Sequence, residues 1–412
     1  MITPHTIGNM DQVVKKVIFN SEGIEPEPTN VGDNTVTYGY GYTFIRKGDK
    51  WNIYGNLYSD LAAIGITLNA DEKTKLQSIA YALNQNNISL ACTLIVQFQE
   101  DWRYADLTEP EANTLYNLEI NRKKEELSTQ FRKVLGTTNG NALLSGLQNS
   151  KEMVTLLDMA YNGGAGLVGP KLINAMWEGN RAEAWFEIRY NSNNGRDLSM
   201  RPGLAKRRYL ESQMFGLYDN PDSVGLTEAQ QIYKMLQEHR GEIVYYEKNY
   251  GVPVDGTSPL QGNRIDAARN DFSGLLSYVQ SGTVQTIEES LNLAKAAIFT
   301  YINGRDDLPG LLKDKLTENN VASTNIYLNP HKDTDLDQTS VLDSFFYQTG
   351  LYENGANDLM IGMDQSDFMF GRKGNDVLIG EGGSDCLWGD EGNDVLFGGG
   401  GGIRRTPFLP SL

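Results

Sequence analysis

Polar and apolar residues keep three distinct rhythms along this chain. Over residues 10–22, MDQVVKKVIFNSE, Val14 and Ile18 lie four apart, and Glu22 falls four further on along the same line. That spacing predicts an amphipathic helix whose apolar stripe ends in a carboxylate, with Gly23 placed to stop it. Over residues 35–44, TVTYGYGYTF, the period drops to two. Val36, Tyr38, Tyr40, Tyr42 and Phe44 alternate with Thr35, Thr37, Gly39, Gly41 and Thr43. This predicts a strand or hairpin arm, with glycines where a ligand or another backbone comes close. The third rhythm has a period of nine. Met360, Met369, Leu378, Leu387 and Leu396 repeat at that interval. So do Asp358, Asp367, Asp376, Asp385 and Asp394, and Gly362, Gly371, Gly380, Gly389 and Gly398. Five units in one register predict five small coils of short parallel strands joined by glycine turns. A flexible Gly/Asp linker would not keep an apolar register.

Helical signals fill most of the rest. Thr108-Glu-Pro-Glu111 is a capping box opening a helix through about residue 132. Residues 154–189 read as helix, glycine-rich turn, helix, helix, with Pro170 near a helix start. One further helix opens at Thr227 and runs to about residue 249, another runs from Thr286 to about 303, and 252–264 reads as a surface loop or hinge. The fold class is therefore multidomain α+β: a mainly helical domain with a small β-hairpin over 10–216, a mainly helical middle region over 217–350, and a parallel β-roll over 351–402.

Composition changes this picture in two ways. Residues 1–216 carry 22 basic and 24 acidic side chains, whereas 217–412 carry 14 and 29. The second half repels itself unless cations neutralise it, and a net charge of −17 argues against nucleic acid as a partner. Two cysteines, Cys92 and Cys386, make no disulfide framework. No apolar run approaches the length of a membrane span, and the start lacks the basic and apolar segments of a cleavable signal peptide.

The period-nine segment has the chemistry of a cation array. Glycines let carbonyls converge, and each Asp offers the hard oxygen that calcium prefers. One unit, Gly371-Arg-Lys-Gly-Asn-Asp-Val-Leu-Ile379, resembles the RTX nonapeptide repeat, and the resemblance spans about residues 353–402. It implies Ca2+ held by Asp358, Asp367, Asp376, Asp385 and Asp394. It also implies a secreted protein and the type I secretion machinery as partner, although the tail GGIRRTPFLPSL does not match that route's usual signal. Met363, Asp364, Gln365 and Ala356 depart from the pattern and predict weaker sites at the first two units. Asp333, Asp335 and Asp337 also alternate like a calcium loop, without the glycine and distal glutamate of an EF-hand.

Residues 10–216 resemble the phage-type lysozymes (glycoside hydrolase family 24). The likeness rests on a helix ending in Glu22-Gly23, a loop, and Thr37-x-Gly39-x-Gly41, fifteen residues from Glu22 to Thr37. Thr108-Glu-Pro-Glu111, Asn162-Gly-Gly164 and the helix Gly203-Leu-Ala-Lys-Arg-Arg-Tyr-Leu-Glu211 follow in the family's order. The resemblance implies cleavage of the β-1,4 bond between N-acetylmuramic acid and N-acetylglucosamine in peptidoglycan. Glu22 would be the general acid, its pKa raised by desolvation, and Thr37 would orient water. Val31 stands where the family's Asp often falls. Asp33 is then the candidate second carboxylate, with Glu25 and Glu27 as substitutes. Tyr42 occupies the family's histidine position. Asn162, Arg207 and Arg208 are candidate substrate contacts, the arginines otherwise being solvated helix charges. An antibacterial toxin is the expected role. A glycan-binding protein without cleavage, and a middle region that is itself the effector, are the alternatives.

Overall fold

The computed structural model describes residues 1–32, 34–192, 201–253, 257–321, 324–328, 340–343, 355–362 and 366–400. Their contacts divide the chain into two compact units: Pro4–Ile173, and Met1–Thr3 with Asn174–Leu412. This division falls well before residue 216, where the sequence suggested a boundary.

The first unit opens with α1 (Met10–Glu22). Its buried face is Val13, Val14, Val17 and Ile18. Gly23 ends it at φ 70°, a left-handed position that glycine takes at no steric cost. Strands β1 (Glu25–Thr29), β2 (Thr37–Gly39) and β3 (Tyr42–Thr43) form an antiparallel sheet in that order. Thr29 and Thr43 both pair with Thr37, so this threonine sits on the central strand. The alternating segment is thus a hairpin that turns at Tyr40-Gly41, not one continuous arm. A second hairpin, β4 (Ile45–Lys47) and β5 (Trp51–Ile53), precedes α2 (Leu57–Ala63), α3 (Ala70–Asn84) and α4 (Ile88–Glu100).

Helix α5 (Glu109–Gly146) starts at the foreseen capping box, with Thr108 and Glu111 each bonding the other's backbone. It is not straight. Gly136 takes φ 78°, ψ 164°, and a side chain at Gly140 would lie 2.7 Å from the Arg132 nitrogen. The chain therefore doubles back at Gly136. Helix α6 (Lys151–Gly163), a 3₁₀ turn (Ala165–Leu167) and α7 (Pro170–Glu178) follow the predicted order, with Pro170 at the first helical position. Helix α6 is buried from Glu152 to Ala160 and packs against α1 and α5.

The second unit begins with α8 (Arg181–Phe186) and a π-helical turn, Glu187–Asn191. Then come α9 (Arg201–Phe215), α10 (Leu226–Glu238), α11 (Arg240–Tyr250), α12 (Arg264–Tyr278), α13 (Ile287–Gly304) and α14 (Gly310–Asn319). The single helix foreseen over 227–249 is two, broken at His239. Helix α9 packs on α12, and α10 on α13.

Among the described residues, seven short strands make up the roll: β6 (Thr324–Leu328), β7 (Ser340–Asp343), β8 (Asn357–Ile361), β9 (Asp367–Phe370), β10 (Val377–Ile379), β11 (Cys386–Trp388) and β12 (Val395–Phe397). They form two parallel sheets, β12-β10-β8-β6 and β11-β9-β7. Val377 pairs with Leu359 and with Val395, each eighteen residues away. One coil is therefore two nonapeptides, one strand to each sheet, and five units make half the coils that one unit per coil would give. The repeat's apolar positions Met360, Met369, Leu378 and Leu387 are buried. The roll also starts before the repeat: β6 adds to β8 in register, with Asn325 beside Asp358.

Candidate functional site

Glu22 ends α1 half-buried, against the turn of the first hairpin. A side chain at Gly41 would come within 3.1 Å of its Oε2, and Gly41 itself stands at φ 74°. Glycine here lets the carboxylate approach the turn. The same turn is held from above and below. Tyr40 stacks on Phe19 of α1 at 3.3 Å and 7°, and its carbonyl accepts a 2.6 Å hydrogen bond from the Tyr161 hydroxyl of α6. Burial, and then the Glu22 carboxylate, push the Tyr161 hydroxyl well above its ordinary pKa. Glu22, Tyr161 and the hairpin turn thus form one constellation.

Thr37 is 3% exposed, and its Oγ1 has no hydrogen-bond partner among the described residues. The Oδ1 of Asn162, at the end of α6, is buried in the same condition. Both are polar atoms whose burial costs free energy unless something bonds to them. Asp33 lies outside the described residues, as do Asp333, Asp335 and Asp337. Asn30 accepts bonds from the Gly32 and Asn34 amides at 2.9 and 3.1 Å. Val31 is 53% exposed, and Glu25 and Glu27 lie on β1.

Three expected substrate contacts need correction. Tyr42 is 1% exposed, and its hydroxyl donates to Asp60 at 2.6 Å, so it is a core residue and presents no face to a sugar. Arg207 and Arg208, on α9 in the second unit, are buried and paired with Glu211 of their own helix. They are neither solvated charges nor open cleft walls.

The sequence did not single out the charged layer behind the hairpins. Asp60 accepts two bonds from Arg122, at 2.6 and 2.7 Å, besides that from Tyr42. Glu119 accepts from Arg46 at 2.8 Å, and Arg46 lies 3.4 Å from the Tyr54 ring centre. Burial alone would raise the Glu119 carboxyl, but Arg46 and Lys123 hold it below the usual range. The only signal for this layer was the i, i+3 and i, i+4 spacing of Glu119 to Arg122 and Lys123. A cavity of about 310 Å³ opens near Met10, at the other end of α1 from Glu22.

In the roll, the period-nine aspartates stand in two columns. Asp376 accepts from the Asp358 amide at 2.8 Å, Asp394 from the Asp376 amide at 2.9 Å, and Asp385 from the Asp367 amide at 3.1 Å. Each uses Oδ1 for this, eighteen residues along. The Oδ2 atoms of Asp376 and Asp385 are buried without a hydrogen-bond partner among the described residues. They face the space that a glycine leaves open: a side chain at Gly371 would strike Asp376 Oδ2 and lie 2.9 Å from the Gly389 carbonyl. Gly362 and Gly380 have the same relation to Asp367 and Asp385. Burial pushes Asp376 up to about 7 and Asp385 up to about 6, with the neighbouring carboxylates Asp394 and Asp367 adding to it.

A family model for the RTX calcium-binding nonapeptide repeat matches residues 354–385 and 370–402. These residues are RTX calcium-binding repeats. The RTX roll fits its ion by the donors present: orphaned carboxylate oxygens converging with glycine carbonyls, all hard oxygens of the kind calcium takes. Bound calcium supplies the positive charge that lets these carboxylates be buried ionised. Asn325 takes the aspartate's place in the first coil and donates to Asp358 Oδ1 at 3.0 Å, which closes the column with a neutral amide. RTX repeats are typical of secreted proteins, and no helix among the described residues is long and apolar enough to cross a membrane. No curated protein and no solved structure matches the chain.

Proposed function

We propose that the chain is a peptidoglycan hydrolase, an N-acetylmuramidase, exported with a calcium-dependent RTX roll. The observation that carries this reading is the position of Glu22: a half-buried carboxylate at the end of α1, packed on a glycine hairpin turn that Tyr161 and Phe19 hold in place. Glycoside hydrolysis needs an acid beside the leaving oxygen and a second carboxylate for the opposite face. Glu22 is the acid in this reading. Thr37, with its buried unpartnered hydroxyl, orients the attacking water, and Asp33 supplies the second carboxylate. Asn162 offers a carbonyl oxygen for an acetamido group. The roll would carry the chain through the type I secretion machinery and fold once calcium is plentiful outside the cell. An antibacterial toxin is the role this combination serves best.

A second reading has its own support. Val31, at the family's usual aspartate position, is exposed and carries no carboxylate. A domain built this way binds glycan without cutting it. Release of soluble muropeptides from purified peptidoglycan separates the two. Hydrolysis by the wild type and its loss in Glu22→Gln support the muramidase. Retention of the glycan with no release by either protein supports the binding module.

A further inference from the structure

We propose that Glu183, Glu238 and His239 form a second metal site, distinct in chemistry from the roll, that takes a transition-series dication such as Zn2+. One ligand atom from each of the three lies within 4.8 Å of the others. The site exists because the helix foreseen over 227–249 is broken. In an unbroken helix adjacent residues point about 100° apart, so Glu238 and His239 would face different ways. At the break His239 takes φ −108°, ψ 16°, and both side chains turn toward Glu183 on α8.

The imidazole is already oriented for a ligand role. Its ring stacks on Phe186 at 3.7 Å and 9°, and Nε2 lies 2.8 and 3.0 Å from the two Glu183 oxygens. Tetrahedral zinc with bonds of about 2.0–2.2 Å sets its nitrogen and oxygen donors about 3.3–3.5 Å apart. An ion entering between His239 and Glu183 therefore needs an opening of only about half an ångström, taking the place of the shared proton. Glu238 adds a third donor; Lys234, one turn earlier on α10, is 3.8 Å away, too far to hold it. One imidazole and two carboxylates suit zinc, cobalt or nickel, whereas the all-oxygen cradle of the roll suits calcium. Three protein ligands leave a fourth position open for water.

The test is a titration of untagged full-length protein with zinc chloride in saturating calcium, read by calorimetry, and with cobalt(II), read by its visible absorption. One zinc per chain is expected, with tetrahedral cobalt bands. His239→Ala and Glu183→Gln should each weaken binding about tenfold or more, as losing a ligand does, while His331→Ala leaves it intact. Binding that survives both substitutions, or no binding beyond that of His239→Ala, overturns the proposal and leaves His239 and Glu183 as an ordinary ion pair. Calcium binding and the circular dichroism spectrum, unchanged in the variants, show that they are folded.

Discussion

At Gly392 the backbone stands at φ +149°, and a side chain would overlap the Gly374 carbonyl of the preceding coil. Such a conformation costs other residues about 1–3 kcal/mol, before any clash. Gly392→Ala should therefore lower calcium affinity about tenfold or more, while Gly400→Ala, with open space around it, should not. Calorimetric calcium titration of the two variants checks this. The aspartates make a second prediction at this scale. Asp376 and Asp385 have pKa values raised by burial, to about 7 and about 6. A raised carboxyl favours the folded state while it is protonated. That contribution is complete below the unfolded value, about 3.9, and is lost as pH rises through 6 and 7. The calcium-free roll should then be more stable at pH 5 than at pH 8, measured by hydrogen exchange of its strand amides. With calcium present the order should reverse, because the ionised form is the ligand. Tyr42 gives a third. Tyr42→Phe should cost about 1 kcal/mol in thermal stability, the worth of one hydrogen bond to Asp60, and leave glycan affinity unchanged.

Among the elements, those set by neighbours in sequence were legible, and those set by distant partners were not. Helix α1 stops where Gly23 says it should, and α5 starts at its capping box, because each signal acts within one turn. The alternation over 35–44 announced extended backbone, yet it could not say that Asp60 would claim the Tyr42 hydroxyl. The burial of Arg207 and Arg208 comes from packing around α9 inside the second unit, so charges expected on a cleft wall or a solvated helix face became core. The length of α5 hid its reversal, which needs Gly136 at φ 78° and Gly140 against the backbone of Phe131 and Arg132. Gly140→Ala should lower the melting temperature of the first unit clearly. Gly203→Ala, in α9 with nothing nearby, should change little or stabilise by about 0.5–1 kcal/mol. The eighteen-residue coil was visible in retrospect. Asn357, Asn375 and Asn393 precede the aspartates of one column, and Ser366 and Ser384 those of the other. Asn357, Asn375 and Ser366 each accept from the amide eighteen residues on, at 2.8–3.2 Å.

For the whole molecule, the sequence set the roll apart as residues 351–402, whereas the structure ties it to helices. Strand β6 packs on α10, and α14 on β10 and β12. Arg305 pairs with Glu381 at 3.0 Å, and Asn319 donates to the Asn375 carbonyl at 2.5 Å. Chelating calcium should then expose α14 as well as the repeat, while residues 4–173 keep their own transition. Hydrogen exchange with and without chelator reads the two separately; protection of Gly310–Asn319 unaffected by chelator would contradict this coupling.

The two-unit coil also limits how such an array can change its length. Adding or removing eighteen residues returns every later strand to its own sheet and leaves the Asn and Ser columns whole. A change of nine keeps the Leu and Asp rhythm perfectly, yet sends each later strand to the opposite wall. Asn would then meet Ser, and the chain would leave the roll from its other side. Length variation in this segment should therefore come in even numbers of nonapeptides, although a single nonapeptide is the unit that the eye reads in the sequence.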